Sequence, residues 1–550
     1  FSALGGSTRH SGSLCWGAGL AAQKYDFGAV LSHSYQDIEN SKLIILWGHN
    51  PAYTAVHMLP FLHRARLNKA RIVLIDPLKT ATAAFADLHL SVNPGTDGAL
   101  ALSMANVLIK AGMVDQNFIN QFSSGFDSFA ELCDQYTPAV AAEITGLSEE
   151  IIRTLAFDYA KAKPAAIIFG LGLQRHSNGC NMIRSIDALA ALSGNIGVSG
   201  GGASYANFRV DHYIDHDYLK GLDLKPINRF YCKPKLAQAL TDLQDPPISF
   251  LYISRANPIV QVGDSRSLKL AFQKVPFIVT AEHFMTETAA RSDLVLPSTN
   301  FLEQEDLFYN SMSHQYISYG AEILKPPGNC RSEHSFLNEV ALRLGVKGYS
   351  EKTAAEIIER SIKPLSVNTG ITLDYLRNNS PVLLPGANSI PWSDRVFKTK
   401  NKKYNFVAPD LEKEPDRGLP VYRKPLELSS TELREQGYSY WFVSPHAKDS
   451  INSTHRLPAS NIEPRAYINR ITAASESIAD GDQVIISSIR GAITARASIT
   501  GQVSPDTVVV YQGWWHYSNA AVNNLTSDSL TDYGCQAAYY DCLCRIEPIK

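Results

Sequence analysis

The sequence contains an internal duplication, and this repeat constrains the fold more than any other feature of the chain. The segments KLIILWGHNP (42–51) and SFLYISRANP (249–258) each show an apolar run followed by a turn that ends in Asn-Pro. Further along, TATAAFADLHL (80–90) and TETAARSDLVL (286–296) agree at seven of eleven positions. Because these matches recur in one order and at almost one offset, they predict two related modules.

Each copy shows the order strand, turn, helix, strand, acid. The second strand of the first copy ends at Asp76 and that of the second copy at Glu282, and a further acid follows in each, Asp97 and Glu303. This order is typical of mononucleotide-binding βαβ units, where backbone N–H groups at a helix start bind phosphate and a carboxylate accepts from ribose hydroxyls. No GxGxxG follows either first strand, which disfavours ordinary NAD or FAD binding.

Asp97 has two interpretations that its sequence context leaves open. One carboxylate can accept from both N1–H and N2–H₂ of guanine, and adenine presents no such pair of donors. An aspartate in the sequence PGTDG is equally typical of a turn or of a helix N-cap.

A glycine-rich stretch, FGLGLQRHSNG (169–179), reads as another strand followed by a turn. It carries Gly170, Gly172, Gln174 and Arg175. The glycines either let backbone approach a ligand closely or serve a plain tight turn.

The C-terminal region differs from both modules. Residues 478–515 show short β-rich runs separated by Gly/Asp and Ser/Pro turns, which predict a small barrel or sandwich. Residues 380–440 are rich in Pro, Lys and Glu and weakly periodic, as expected of a linker. We therefore expect an α/β chain with a first dinucleotide-binding module at 1–210, a second module and linker at 211–425, and a C-terminal β-barrel at 436–550.

Charge and cysteine usage exclude several classes of protein. The 51 basic and 53 acidic residues nearly cancel, so nothing favours a nucleic-acid partner. No apolar run approaches the roughly 18 residues that cross a bilayer. The eight cysteines are scattered without a CxxC pair for zinc or an iron–sulfur cluster. Cys15 stands alone among small residues in GSLCWGAGLAA, and its context alone favours a buried core cysteine.

Several segments together resemble the molybdopterin oxidoreductase family, the dimethyl-sulfoxide-reductase-like enzymes, over nearly the whole chain. In the family's order they are LIILWGHNP, LIDPLKTATAAFADLHLSVNPGTDGAL, LVLPSTNFLEQED, SPHAKDSINSTH, IADGDQVII and AVNNLTSDSLTDYG. The resemblance implies two molybdopterin guanine dinucleotides, one per module, whose four dithiolene sulfurs bind one molybdenum or tungsten. In similar sequences a side-chain metal ligand precedes the GxNP strand, and Cys15 has that position, where a soft thiolate suits the metal.

The resemblance also implies cofactor-binding residues along the whole chain. For one cofactor these are Gly48, Asn50 and Pro51 at the phosphates, Asp76 at the ribose, Asp97 at the guanine, and Gly172 and Gln174 near the pterin. For the other they are Asn257, Glu282, Thr286, Thr288 and Asp293. From the C-terminal domain, Ser444, His446, Asn523 and Tyr533 are expected to close over both.

The chain departs from the family pattern in three places. The family usually opens with a CxxCxxxC iron–sulfur segment, so we expect a 4Fe–4S cluster only in a missing N-terminal segment. Trp16 follows Cys15 where the family's formate dehydrogenases place His, which disfavours formate as substrate. The segment SPHAKDS also lacks the arginine that many relatives have near the histidine.

The resemblance implies a molybdenum- or tungsten-dependent oxidoreductase that performs two-electron chemistry, often oxygen- or sulfur-atom transfer, on a small substrate, as in anaerobic respiration. The alternatives are a non-redox tungsten hydratase of the same family and a non-catalytic electron-transfer subunit that keeps the fold. An iron–sulfur subunit and a membrane anchor are common partners in the family. The sequence itself indicates neither a cytoplasmic nor a periplasmic location.

Overall fold

The computed structural model describes residues 1–4, 7–222, 229–312, 314–346, 352–454 and 463–549. The chain divides into two compact units, and each is discontinuous in sequence. Unit 1 consists of Phe1–Ser11, Ala206–Ile259 and Ser267–Ser389, and unit 2 of Gly12–Tyr205, Val260–Arg266 and Ile390–Lys550. The division into three sequence domains stays a prediction, because these units follow packing rather than chain order.

The strands of the described residues alternate with helices in the first part of the chain and follow one another closely near its end. In chain order they are β1 (Thr8–Ser11), β2 (Leu43–Trp47), β3 (Arg71–Ile75), β4 (Leu88–Leu90), β5 (Ser123–Ser124), β6 (Ala165–Phe169), β7 (Ala203–Ser204), β8 (Arg229–Cys232), β9 (Phe250–Ser254), β10 (Phe277–Glu282), β11 (Leu294–Pro297), β12 (Asp306–Tyr309), β13 (Tyr316–Gly320), β14 (Val382–Leu383), β15 (Tyr404–Asn405), β16 (Tyr440–Val443), β17 (Arg465–Ile468), β18 (Gln483–Ser487), β19 (Ala492–Ile499), β20 (Thr507–Val509) and β21 (Leu543–Pro548).

The α-helices of the same residues are short to medium in length. They are α1 (Gly17–Phe27), α2 (Pro51–Thr54), α3 (Leu59–Leu67), α4 (Asp97–Lys110), α5 (Gln116–Phe122), α6 (Phe126–Cys133), α7 (Pro138–Thr145), α8 (Glu149–Lys161), α9 (Gly179–Leu192), α10 (His216–Lys220), α11 (Leu236–Asp242), α12 (Pro258–Gln261), α13 (Ser265–Phe272), α14 (Glu333–Arg343), α15 (Ala354–Ser361), α16 (Lys363–Thr369), α17 (Leu373–Asn379), α18 (Thr431–Glu435) and α19 (Arg470–Ser475). Within the described part of the chain, no helix combines the length and the apolar character needed to span a bilayer.

Unit 2 is built on a five-stranded sheet with the order β4-β3-β2-β6-β7. All four strand pairs are parallel. The central strand β2, LIILW, is buried at every position, which is typical of a parallel sheet covered on both faces. Because parallel strands end at one edge, the turns that follow β2, β3 and β6 lie together at that edge.

Unit 1 contains a three-stranded parallel sheet with the order β11-β10-β9, which repeats part of the sheet in unit 2. Val73 lies opposite Leu88 in β3–β4, and the residues 206 positions later, Val279 and Leu294, lie opposite each other in β10–β11. The registers of β2–β3 and β9–β10 correspond in the same way. The predicted duplication is therefore confirmed down to the pairing of individual residues.

The two copies diverge after the second acid. Asp97 begins helix α4, whereas Glu303 is followed by the antiparallel sheet β12-β13-β14. In the structure the Glu303 carboxylate accepts from the backbone N–H of Asn300 at 3.1 Å. The positional match between Asp97 and Glu303 therefore does not extend to their structural surroundings.

The C-terminal strands form a closed barrel with the order β16-β20-β17-β19-β18-β21. Alternate residues of β19, including Ile493, Ala495 and Ala497, point into the barrel core, as the two-residue repeat of a strand requires. The predicted fold class, two related α/β modules followed by a β-barrel, is confirmed.

The expected linker region is irregular in structure, but much of it is not exposed. Trp392, Phe397, Tyr404 and Phe406 are buried in unit 2. Trp392 stacks on Phe27 of helix α1 with ring centroids 5.8 Å apart. The lack of periodicity conceals this packing, because aromatic side chains on irregular backbone follow no regular spacing.

Candidate functional site

Cys15 lies on the turn immediately before helix α1, and its backbone is held from two sides. The Ser13 hydroxyl accepts from the N–H groups of Cys15 at 2.9 Å and Trp16 at 3.2 Å. Ser13 itself donates its N–H to the Cys535 carbonyl at 3.1 Å and accepts from Ala537 N–H at 3.3 Å. The backbone of Cys15 is therefore fixed by hydrogen bonds to Ser13, which is itself held by the backbone of residues 535 and 537.

Gln174, predicted near the pterin, is fully buried and bonded within the protein. Its Oε1 accepts from Gly19 N–H at 2.6 Å, and its Nε2 donates to the Tyr205 hydroxyl. The Tyr205 hydroxyl donates in turn to the Trp16 carbonyl at 2.9 Å. Gln174 therefore orients the first turn of α1 and, through it, Cys15.

Arg175, the next residue, has a buried guanidinium with weak hydrogen bonding. Its Nη atoms lie 3.5 Å from Gln512 Oε1 and 3.5 Å from His446 Nε2. Its guanidinium carbon lies 5.9 and 5.8 Å from the ring centroids of Tyr539 and Tyr540. Its Nε has no hydrogen-bond partner.

The electrostatics bring Cys15 into the same group of residues. Burial acts to lower the pKa of Arg175, but nearby Tyr540, Cys15 and Tyr539 raise that pKa above its ordinary value. Burial, followed by the charge of Arg175, lowers the pKa of His446 to about 4. His446 is therefore neutral at physiological pH, and Arg175 carries the positive charge of this group.

A buried histidine and aspartate hold the turn that carries Arg175. His176 Nδ1 lies 2.9 Å from Asp541 Oδ1. The other oxygen of Asp541 accepts from the N–H groups of Ser177 at 3.0 Å and Leu426 at 2.9 Å. The pair was not predicted from the sequence: His176 lies in the glycine-rich stretch 169–179, but Asp541 is 365 positions away and belongs to no motif.

Asp76 and Asp97 lie buried at the carboxyl edge of the unit 2 sheet. Burial raises the pKa of Asp76 to about 7, and the nearby charge of Asp97 adds to this increase. A hydrogen bond from Leu78 N–H at 2.9 Å acts in the opposite direction and lowers the pKa. Asp97 Oδ1 accepts from Trp47 Nε1 at 2.8 Å, and burial raises its pKa too. Asp97 is the first residue of α4, and its N-cap is Thr96, so the N-cap interpretation of Asp97 is wrong.

The predicted glycines serve two different purposes. Gly48 has φ +59°, the left-handed region that favours glycine. A Cβ on Gly170 would lie 1.6 Å from the Gly48 carbonyl oxygen, so the protein backbone itself requires this glycine. A Cβ on Gly172 would meet only the Tyr540 ring, at 3.7 Å. The space at Gly172 is therefore not demanded by protein packing and fits the approach of a ligand.

The Asn-Pro turns of both modules are closed by the same hydrogen bond. Asn50 Oδ1 accepts from the Thr82 hydroxyl at 2.7 Å, and Asn257 Oδ1 accepts from the Thr288 hydroxyl at 2.8 Å. Pro51 follows as the first residue of α2. These side chains fix the shape of a turn at the carboxyl edge of each sheet.

The remaining predicted residues of unit 1 lie at opposite edges of its sheet. Glu282 ends β10 and accepts from His283 N–H at 2.7 Å, and the Thr286 hydroxyl accepts from Ala289 N–H at 3.1 Å. Asp293 precedes β11, and its carboxylate accepts from the backbone N–H of Ile278, the second residue of β10, at 2.7 Å. This contact lies at the amino end of β10. Because the strands are parallel, Asp293 lies away from Glu282, and we leave it out of the cofactor set.

The four predicted residues of the barrel are not all brought together. The Ser444 carbonyl accepts from the Tyr540 hydroxyl at 3.2 Å, beside Arg175. Asn523 Nδ2 donates to the backbone of α12 at 2.6 Å, which gives it a structural contact. Tyr533 packs edge-on against Tyr25, near the far end of α1 from Cys15.

Two parallel modules of the nucleotide-binding type and a closed barrel define a dinucleotide-cofactor enzyme. Comparison with protein-family sequence models gives two matches. The family model for molybdopterin oxidoreductases matches residues 1–343, and the family model for the molydopterin dinucleotide binding domain matches residues 440–543. The chain belongs to the molybdopterin oxidoreductase family, so the predicted family and enzyme class are confirmed.

Relatives cover almost the whole chain. The probable oxidoreductase YyaE of Bacillus subtilis is 34% identical over 99% of this chain and 81% of its own length. The assimilatory nitrate reductase catalytic subunit of the same organism is 27% identical over 98% and 79%. Formate dehydrogenase H of Escherichia coli is 25% identical over 94% and 74%. Acetylene hydratase from Pelobacter acetylenicus shares the fold, with a TM-score of 0.81 at 20% identity over 98% and 81%.

Proposed function

We propose that the chain is a molybdenum- or tungsten-dependent oxidoreductase that performs two-electron chemistry on a small substrate at a bis-molybdopterin guanine dinucleotide centre. Cys15 is the proposed side-chain ligand of the metal. The observation that carries the proposal is the fixed backbone of Cys15, which Ser13 holds directly and Gln174 holds through α1, within electrostatic range of the buried Arg175.

The residues present fit such a cofactor. Asp76 and Asp97 are buried carboxyl groups at the carboxyl edge of a parallel sheet, where ribose and guanine offer donors. Gly172 leaves open space beside Tyr540 for the pterin. In unit 1 the carboxyl edge of the parallel sheet carries the Asn257 turn, Glu282 and Thr286, which would bind the second cofactor. When bound, the metal would exchange two electrons with the substrate, and the protein would orient both.

The chain's own residues would supply position and charge. Ser13, Gln174 and Tyr205 hold the segment that presents the thiol. His446 is neutral at physiological pH. One of its ring nitrogens then carries a proton and can donate a hydrogen bond, while the other can accept one.

A 4Fe–4S cluster and an iron–sulfur partner subunit remain part of the proposal, because two-electron chemistry at a metal needs an outlet for electrons. A membrane anchor for that partner is proposed on the same family grounds. Sequencing the gene upstream of Phe1 and searching it for CxxCxxxC would test the cluster.

Two measurements separate this function from its alternatives. Metal analysis of the purified protein is expected to give one molybdenum or tungsten, which a non-catalytic electron-transfer subunit would lack. A dye-coupled assay is expected to show electron transfer to or from a viologen. A hydratase would instead convert its substrate without any change in the dye.

Replacement of Cys15 tests the metal ligand. We expect Cys15→Ala to lower turnover by at least about 100-fold while metal and nucleotide stay bound, since one thiolate is a small part of the affinity and a large part of the metal's electronic environment. Cys15→Ser should be milder but should shift the reduction potential, because a serine oxygen can also ligate. The readout is metal content together with the X-ray absorption edge of the metal.

Cys330→Ala is the matched control, since Cys330 is another partly exposed free cysteine, in unit 1. It should leave both activity and spectrum unchanged. An unchanged spectrum and full activity in Cys15→Ala would show that Cys15 is a structural cysteine and that the ligand lies elsewhere.

A further inference from the structure

Among the described arginines of unit 2, two are buried almost completely, and they differ in how their charge is neutralised. Arg184 pairs with Asp26 at 2.7 Å and also donates to the Gly418 carbonyl at 2.9 Å. Among the ion pairs of the described residues, none includes Arg175, and its Nε has no hydrogen-bond partner. Arg175 is only 5% exposed, so solvent does not replace the missing anion.

Such an arrangement is costly for the protein alone. A buried charge without a partner destabilises a fold, because nothing replaces the water it has lost. Arg175 makes two long hydrogen bonds, to Gln512 and His446, and a further one with the Tyr540 hydroxyl, and it lies over the rings of Tyr539 and Tyr540. None of these partners is a carboxylate. A cation in these aromatic surroundings attracts an anion more strongly than it would in water.

The backbone that carries the guanidinium is also held in place by hydrogen bonds within the protein. The Arg175 backbone donates to the Gly172 carbonyl at 3.0 Å and accepts from Tyr540 N–H at 2.9 Å. His446, which lies against it, is neutral and cannot serve as its counter-ion. Burial raises the pKa of both Tyr539 and Tyr540, so neither tyrosine supplies a negative charge to Arg175 at physiological pH.

We propose that Arg175 is the specificity-determining residue of the site and that the substrate is a small anion with two coplanar oxygens, a carboxylate or an oxyanion. The planar fork of an arginine matches two oxygens of such an anion, and a neutral substrate would leave the charge uncompensated. This inference rests on the proposed function, because it places the substrate beside the proposed metal ligand. The negative charge of the cofactor is the competing counter-ion.

The test uses acetate and acetamide, which share shape and differ in charge, with nitrate as a second planar anion. Each is titrated by calorimetry into the oxidised, cofactor-loaded protein at constant ionic strength. We expect acetate and nitrate to bind and acetamide to bind at least 10-fold more weakly. In Arg175→Gln the affinity for both anions should fall at least 10-fold, and in Arg175→Lys it should fall less, since lysine keeps the charge and loses the fork.

Arg153→Gln is the matched control, because Arg153 is half-exposed on helix α8, and it should leave anion affinity unchanged. Equal binding of acetate and acetamide, or wild-type anion affinity in Arg175→Gln, would overturn the proposal. Loss of metal and nucleotide from Arg175→Gln would also overturn it, and would assign the arginine to the cofactor. If Arg175→Gln does not fold, full anion affinity in a folded Arg175→Lys variant contradicts the need for a fork.

Failure of this inference about Arg175 can be distinguished from failure of the proposed function, because the two are tested by different measurements. An unchanged metal spectrum in Cys15→Ala would remove the ligand assignment, whereas the acetate and nitrate affinities report on Arg175 alone.

Discussion

At the scale of single residues, Asp76 links the nucleotide edge of unit 2 to pH. Burial raises its pKa from an ordinary 3.8 to about 7 in the folded protein. Between these values the folded state holds a proton that the unfolded state has released, so stability falls as pH rises from about 4 to 7. We expect Asp76→Asn, which removes the titration, to raise the melting temperature of cofactor-free protein at pH 8 and to change it little at pH 4.5.

Thermal unfolding measured across this pH range checks the expectation, with Asp127→Asn, an exposed acid on α6, as the control. If the melting temperatures of Asp76→Asn and wild type change in parallel with pH, the pKa of Asp76 is the same in the folded and the unfolded protein.

The residues that match between the two copies illustrate what a repeat can reveal. Asn50 and Asn257 occupy equivalent turns, and Asp293 makes the same backbone contact as Asp87, which accepts from the second residue of β3 at 2.8 Å. The family resemblance implied that Asp293 binds a cofactor, and Asp293 also recurs between the two copies. The structure gives the recurrence another reason, since each module needs this aspartate to hold two strands together.

At the scale of the elements, the turn between β6 and α9 offers a matched pair of glycines. Gly170→Ala would place a methyl group 1.6 Å from the Gly48 carbonyl oxygen, so we expect it to destabilise the protein by at least about 3 kcal/mol. Gly172→Ala has room for its methyl group and should change stability by less than about 0.5 kcal/mol. Urea unfolding measures both.

The Gly172→Ala variant carries a second readout. If the pterin approaches this glycine, the variant should fold normally yet retain less nucleotide. Full nucleotide content would place the pterin elsewhere, and equal stability of the two glycine variants would contradict the packing described for the turn.

The hydrogen bonds that close the two Asn-Pro turns predict equal effects in the two modules. The hydroxyls of Thr82 and Thr288 each donate to an asparagine and accept from a backbone N–H, that of Ala52 or Ile259, at 3.2 Å. Thr82→Val and Thr288→Val should each cost about 1–3 kcal/mol, because they leave buried polar groups unpaired. Hydrogen exchange should accelerate at the Ala52 amide in the first variant and at the Ile259 amide in the second.

Exchange that accelerates at neither amide would show that the threonines do not hold the turns. Acceleration confined to one variant would show that the copies differ in how their turns are stabilised.

At the scale of the whole molecule, the duplicated modules predict two guanine nucleotides per chain. Acid hydrolysis of the loaded protein is expected to release about two GMP per metal, since each module offers one carboxyl edge. Quantifying nucleotide and metal in the same sample gives the ratio. One GMP per metal, or AMP in its place, would contradict a dinucleotide in each module.

The fold was largely predictable from sequence, and the site only in part, for one physical reason. Strands, turns and their order depend on local patterns, so the β2 and β9 segments and the barrel strands could be recognised directly. The surroundings of Arg175 are assembled from distant segments, since His446, Gln512 and Tyr540 approach it from more than 250 positions away. No local pattern encodes such an encounter, and a buried arginine looks the same in sequence as an exposed one.

The shared register of the two sheets also records the history of the duplication. Ala52 and Ile259 are 207 positions apart, whereas Ile72 and Ile278 are 206 apart. One residue was therefore gained or lost in the helical crossover between these landmarks. A change inside a strand would have turned its buried side chains outward, so selection since the duplication tolerated drift in length where the chain crosses over and suppressed it where the strands pair.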